Sequence, residues 1–141
     1  MKNLEYEGEY LYNIKYNGKG YDENGNVIYE LINGNGKVKE YDFYGKLEFE
    51  GELLNGKING IVKIYDNGDL RFEGEYLNGK RNGKGKDYYG NGKLEFDGEY
   101  LNGKRHEKGK EYDGDGDLVF EGEYLIGERY IKIKKITNKM I

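Results

Sequence analysis

The chain has 141 residues, enough for one domain or a short repeat array, and it contains 24 Gly, 16 Tyr and 5 Phe but no Pro, Cys or Trp. It also lacks Ala, the strongest helix former, so the composition does not favour a helical protein. Acids outnumber bases by 27 to 23, and the resulting net charge of −4 argues against a nucleic-acid-binding protein.

Few residues are present that could carry out catalysis or hold a metal. Without Cys there is no disulfide, no thiolate nucleophile and no Cys-ligated metal site. The chain has no Ser and its one Thr is Thr137, so hydroxyl nucleophiles are almost completely excluded. The single His, His106, cannot form a multi-histidine metal site and is interpreted as a solvated turn residue. We therefore predict a protein that is not an enzyme and that has no cofactor.

The first residues and the hydropathy of the sequence indicate where in the cell the protein is expected. Residues 1–10 include Glu5, Glu7 and Glu9 and no apolar run, unlike a secretory signal. The sequence has no stretch of about 18 apolar residues that could span a membrane. We expect a cytoplasmic protein, with a peripheral position at a membrane or the cytoskeleton as the alternative.

The motif Phe-acid-Gly-Glu recurs along the chain. Its four full copies, at spacings of 23, 24 and 24 residues, begin at Phe49, Phe72, Phe96 and Phe120. Degenerate copies begin at Tyr6 and run through residues 27–33. Self-similarity at a fixed period predicts a repeat domain of about six units. We divide it into two degenerate units in 1–45, three core units in 46–116, and a last unit with a capping strand and tail in 117–141.

Each unit is predicted to form a β-hairpin. Its first strand alternates apolar and polar residues, as in Leu94 to Tyr100, which is typical of a half-buried strand. We expect a turn from Asn102 to Glu107, a shorter second strand from Lys108 to Tyr112, and then a Gly-containing turn such as Asn91-Gly92. These signals predict an all-β antiparallel meander of about twelve strands, in which each hairpin stacks on its neighbours.

Charges and rings separate to opposite faces of the predicted strands. First strands carry acids and second strands carry lysines, so we expect acids beside lysines across the sheet. The other face carries Phe, Tyr and Leu, with glycines that let neighbouring rings lie flat over bare backbone. Because a single-layer sheet covers an apolar face only through its own twist, we expect part of this aromatic strip to stay accessible, with Tyr76 and Tyr100 among its more exposed rings.

Residues 72–85, FEGEYLNGKRNGKG, resemble the MORN (membrane occupation and recognition nexus) repeat. The resemblance is strong over residues 46–125 and weaker before them, although Phe replaces the first Tyr of the motif in four units. It implies an elongated, twisted single-layer meander with a groove lined by aromatic residues. It also implies an interaction or scaffold module that binds partner proteins, with phospholipid binding as the other function suggested for the family.

We therefore predict a non-catalytic module that binds a peptide or helix of a partner protein along the aromatic groove. The groove candidates are Phe72, Tyr76, Phe96, Tyr100, Phe120 and Tyr124. A homodimer through the edge strands or the aromatic face is a further expectation. The alternative is binding to anionic phospholipid near the C-terminus, through Lys132, Lys134, Lys135 and Lys139.

Two further segments have specific interpretations. The run from Tyr130 to Ile136 is rich in β-branched residues and Lys, which is typical of a terminal capping strand. Asp113, Asp115 and Asp117 resemble the start of a calcium loop, but the distal Glu and the flanking helices of such a loop are missing. An ordinary hairpin turn is the preferred interpretation of these aspartates, and no metal site is predicted.

Overall fold

The computed structural model describes residues 5–131, which form twelve β-strands and no helix within that range. The strands, numbered in chain order, are β1 (Tyr6–Leu11), β2 (Ile14–Tyr21), β3 (Val27–Leu31), β4 (Gly36–Tyr41), β5 (Leu47–Leu54), β6 (Lys57–Asp66), β7 (Asp69–Leu77), β8 (Lys80–Tyr88), β9 (Leu94–Leu101), β10 (Lys104–Tyr112), β11 (Leu118–Leu125) and β12 (Glu128–Tyr130). The prediction of an all-β meander of about twelve strands is confirmed.

The meander is divided into two sheets. Strands β1 to β3 form a three-stranded sheet, and β4 to β12 form a nine-stranded sheet in which every strand pairs with its neighbours in sequence. At the division, β3 and β4 form no strand ladder, and an isolated bridge pairs Ile32 with Asn35. The hydrophobic core has two parts, one across this division around Tyr29, Leu31 and Val38 and the other along the larger sheet.

Asn-Gly pairs form tight turns between the two strands of a hairpin. In the turn of Asn78 and Gly79 the φ angles are 50° and 81°, both in the left-handed region that two-residue hairpins need. The equivalent turn of Asn102 and Gly103, with φ of 48° and 87°, also has two residues, so the prediction of a turn from 102 to 107 is wrong. The second strand, β10, begins at Lys104 and is longer than its predecessor β9. Glu107, with φ of 62°, lies in a bulge within it.

The hairpin turns bond to one another along one edge of the molecule. The N–H of Gly103 donates to the carbonyl of Arg81 at 2.8 Å, and the N–H of Gly127 donates to that of Arg105 at 2.8 Å. Side chains add to this ladder, because the Asn82 amide oxygen accepts from the N–H of Asn102 at 3.3 Å. Each unit is therefore fixed to the preceding one by its turn as well as by its strands.

The register places acids beside lysines, as predicted. Lys86 lies between Glu73 and Asp97 on its two neighbouring strands. The pairs within ion-pair distance on this face include Lys39 with Glu50 at 3.4 Å, and both side chains are more than a third exposed. Such exposed pairs contribute little stability individually, but their alternation fixes the register and keeps this face polar.

Candidate functional site

The six predicted groove residues form one continuous chain of rings on the nine-stranded sheet. In spatial order they are Tyr76, Phe72, Tyr100, Phe96, Tyr124 and Phe120. Successive ring centroids lie 5.3 to 5.8 Å apart and meet edge to face, the favoured arrangement of two aromatic quadrupoles. We call the surface formed by these six rings the aromatic face.

Glycine in the neighbouring strand makes room for the rings of Phe72, Tyr100, Phe96 and Tyr124. A Cβ on Gly85 would lie 2.8 Å from the Phe72 ring and 3.0 Å from the Tyr100 ring. A Cβ on Gly109 would be 2.6 Å from the Phe96 ring. Real Cβ atoms do not approach this closely, so the rings lie directly on glycine backbone as the alternation in the sequence predicted.

The rings are less accessible than the sequence suggested. Phe72, Phe96, Tyr100 and Tyr124 are buried, with 5% or less of their surface exposed, and the expectation that Tyr100 is among the more exposed rings is wrong. Tyr76 and Phe120 are partly buried. Within residues 5–131 the strands contact mainly their neighbours in sequence, and no second layer covers this face. The rings are buried because side chains of the same sheet fold over them.

Three arginines form this cover. The guanidinium carbon of Arg81 lies 3.8 Å from the centre of the Phe72 ring, that of Arg105 lies 4.0 Å from Phe96, and that of Arg129 lies 4.6 Å from Phe120. A cation above a ring face is attracted by the ring quadrupole. We call Arg81, Arg105 and Arg129 the guanidinium row. Because the rings belong to alternate strands, the members of the row are spaced by about 10 Å.

Each of the first two arginines is held by a carboxylate that a tyrosine also reaches. Nη1 of Arg81 donates to Asp87 at 2.9 Å, and the hydroxyl of Tyr100 donates to the same carboxylate. One unit later, Nη1 of Arg105 donates to Glu111 at 3.4 Å, and the Tyr124 hydroxyl donates to Glu111. Charge-assisted hydrogen bonds of this kind orient the guanidinium groups over their rings.

These contacts change the acidities of the groups involved. Burial, reinforced by Glu111, raises the pKa of Tyr124 to about 12, and burial together with Asp87 also raises the pKa of Tyr100. The hydrogen bond from Nε of Arg129, at 2.6 Å, lowers the pKa of Glu111. At neutral pH the face thus combines protonated tyrosines with charged Arg–carboxylate pairs.

The prediction from sequence missed the guanidinium row, although a signal for it is present. Arg81 and Arg105 are 24 residues apart, and each is followed six residues later by an acid, Asp87 or Glu111. In the third unit, Ile58 and Ile64 occupy the corresponding positions and pack against the same core as Tyr76. The cation and the acid are thus replaced together by two apolar side chains.

A related contact joins the two sheets. Lys15 of β2 lies 5.0 Å above the Tyr6 ring and forms an ion pair with Glu40 of β4 at 3.0 Å. A mixed polar and aromatic pocket of about 400 Å³ opens beside this pair, lined also by Tyr41 and Tyr44. Its position at the division between the sheets makes it a junction feature, separate from the aromatic face.

The remaining candidates lie in turns or outside the described residues. Asp113 caps its own turn, because its Oδ1 accepts from the N–H groups of Asp115 and Asp117 at 3.0 Å each. Asp22 and Asp42 do the same in earlier units. Over residues 5–131, no group of three or more His, Cys, Asp or Glu is placed to hold a metal ion.

His106 and the C-terminal lysines complete the set of candidates. Nδ1 of His106 accepts from the N–H of Ile126 at 3.5 Å, so this residue takes the place of Asn82 in the turn ladder. The predicted lipid-binding lysines, Lys132, Lys134, Lys135 and Lys139, lie outside the described residues, as does most of the predicted capping strand. Within the described range there is no helix long and apolar enough to cross a membrane.

Comparison with known families gave one result. The family model described as MORN repeat matches residues 72–94 and 96–118, which are the two units that contain Arg81 with Asp87 and Arg105 with Glu111. No curated protein matches the sequence.

Proposed function

Because this chain is a MORN repeat protein, we propose that it is a non-catalytic interaction module that binds an elongated segment of a partner protein along the aromatic face. MORN repeats are a non-enzymatic module and are associated with interactions with proteins and membranes. The choice of a protein segment and of this face is our proposal.

One observation supports it most directly. The six rings and the guanidinium row line one side of a single-layer sheet that no other strand covers in the described part of the chain. Rows of aromatic and arginine side chains are the composition of energetically important interface positions. The partly buried rings, Tyr76 and Phe120, would contact the partner, and the four buried rings would hold the shape of the surface.

The test is a pull-down from the source cell with matched variants. Tyr76→Ala and Phe120→Ala should lose a protein that the wild type recovers. Tyr44→Ala should retain it, because this ring is 80% exposed and lies away from the aromatic face. If every protein recovered by the wild type is also recovered by both face variants, the proposal is wrong.

The lipid alternative is distinguished by vesicle sedimentation. The membrane function would be favoured by two results together. Binding to anionic vesicles would disappear when Lys132, Lys134 and Lys135 are changed to Glu, and the Tyr76→Ala variant would bind the vesicles as well as the wild type does. The proposal expects no such binding at moderate salt, since the chain as a whole is acidic, with a net charge of −4.

A further inference from the structure

We propose that the guanidinium row recognises a helix whose acidic residues are spaced seven apart. This inference rests on the proposed function and specifies the chemistry of the partner segment. It follows from the charge, the available hydrogen-bond donors and the spacing of the three arginines.

The three arginines are held in place by their carboxylate partners but remain partly exposed. The side chains of Arg81 and Arg105 are 28% and 26% exposed, and that of Arg129 is 47% exposed. Among residues 5–131, the hydrogen bonds of Arg105 leave from Nη1, so the donors on Nε and Nη2 are available to a ligand. A guanidinium held over a ring with donors remaining can bond a carboxylate in a bidentate manner.

The charges along the face alternate in sign. The Asp87 carboxylate is bonded to Arg81, the Glu111 carboxylate is bonded to both Arg105 and Arg129, and the two acidic side chains are 15% and 20% exposed. A polyanion with closely spaced charges, such as a nucleic acid, would place negative charge against these carboxylates. A partner with separated acids can meet the arginines alone, and the row has three cations for two acids.

The spacing selects the conformation of the partner. Successive arginines are about 10 Å apart because two strand spacings separate them. In an α-helix, residues seven apart lie on the same side and are separated by about 10.5 Å. In a β-strand, side chains on one face are about 6.7 Å or about 13 Å apart, and neither distance matches the spacing of the arginines. A helix with acids at positions i, i+7 and i+14 therefore fits.

Designed peptides can test this directly with the whole chain. A helical peptide with Glu at i, i+7 and i+14 is compared by fluorescence anisotropy with one that carries Gln at those positions. A third peptide places the same three Glu at i, i+4 and i+8. We expect the seven-spaced Glu peptide to bind at least tenfold more tightly than either control.

Variants of the protein identify the site of binding. The double change Arg81→Ile with Asp87→Ile keeps the net charge and copies the pair Ile58 and Ile64 that the third unit already packs. It should weaken binding of the seven-spaced peptide at least fivefold. Arg129→Gln, at a more exposed side chain, should weaken it similarly, whereas Lys84→Gln on the opposite face should change it less than twofold.

The outcomes separate this inference from the proposed function. Equal binding of the Glu and Gln peptides at a site sensitive to Tyr76→Ala overturns the acidic recognition and leaves the aromatic face as a helix-binding surface. Equal binding of both Glu peptides overturns the spacing. Failure of all three peptides to bind also overturns the inference, and the pull-down with Tyr76→Ala and Phe120→Ala then decides the proposed function separately.

Discussion

Glu111 shows how single residues of the aromatic face combine several contacts. Its carboxylate accepts from Arg129 at 2.6 Å, from Arg105 at 3.4 Å and from the Tyr124 hydroxyl, and its side chain is only 20% exposed. The bond from Arg129 is the largest cause of its lowered pKa. A carboxylate whose pKa is lowered by folding stabilises the folded state at neutral pH.

This shift predicts a pH dependence of stability. The stabilisation from Glu111 is present above the unfolded-state pKa and is lost as the pH falls through the lower folded-state pKa. Denaturant unfolding should show Glu111→Gln to be less stable than the wild type by about 1–2 kcal/mol at pH 7, with the difference shrinking towards about pH 3. Glu121→Gln is the control, because its 3.9 Å pair with Lys110 is exposed. A difference for Glu111→Gln that stays constant with pH would contradict this account.

The glycines beneath the rings give a second test at this scale. Gly85→Ala should destabilise the protein by about 1–3 kcal/mol, because the new methyl group would overlap the Phe72 ring. Gly114→Ala should be close to neutral, since nothing lies within 4 Å of a Cβ there. Thermal unfolding of the two variants measures the contrast. Equal stability of the two would show that the rings do not lie on the glycine backbone as described.

At the scale of the element, each hairpin can carry either a polar or an apolar version of the same contact. The fourth unit has Arg81 with Asp87 beside Tyr100, and the third has Ile58 with Ile64 beside Tyr76. An ion pair and a well-packed apolar pair of similar volume often have similar net stability, because ion pairing must offset desolvation.

A double-mutant cycle can measure the interaction energy between Arg81 and Asp87. Asp87→Ile alone should destabilise the protein, since it leaves Arg81 and the Tyr100 hydroxyl without their acceptor. Adding Arg81→Ile should recover part of the loss, giving an interaction energy of about 1–2 kcal/mol. Chemical denaturation of the two single variants and the double variant measures this term. Simple additivity would show that the two side chains are energetically independent.

The hairpin period could be predicted from the sequence, because the first strands of the core units alternate in polarity and most turns have Asn or Asp with Gly. The start of β10 could not, because Lys104 to His106 has no apolar alternation and its pairing is set by β9. The burial of Tyr100 also escaped prediction, since it depends on Arg81 and Asp87 closing over the rings, a contact between strands that local pattern does not encode.

At the scale of the whole molecule, the division between β3 and β4 is the one place in the described chain where successive strands belong to different sheets. The contacts across it are the Ile32–Asn35 bridge, the Lys15–Glu40 pair, packing around Tyr29, Leu31 and Val38, and the turn bonds from Gly34 to Tyr16 and from Gly56 to Gly34. The larger sheet is paired strand by strand over nine strands. In repeat proteins, local stability depends on the interfaces with adjacent units.

Native-state hydrogen exchange should therefore vary along the chain. Amides of β7 to β10 are expected to exchange slowest, and those of β1 to β3 should open at a lower free energy, independently of the larger sheet. Lys15→Ala should accelerate exchange in β1 to β3 while leaving β8 and β9 unchanged. Uniform protection across all strands, with one common opening free energy, would indicate a single cooperative unit instead.

The turn ladder has a consequence for how the molecule can change in length. The N–H of Gly103 bonds the carbonyl of Arg81, and the N–H of Gly127 bonds the carbonyl of Arg105 in the same way. Each unit therefore offers the next unit a carbonyl equivalent to the one that its own turn glycine bonds in the preceding unit. Tandem duplication of a 24-residue segment would insert two strands and lengthen the sheet by about 10 Å without creating a new kind of junction. The length of the sheet can therefore evolve through the number of repeats, independently of the chemistry on each face.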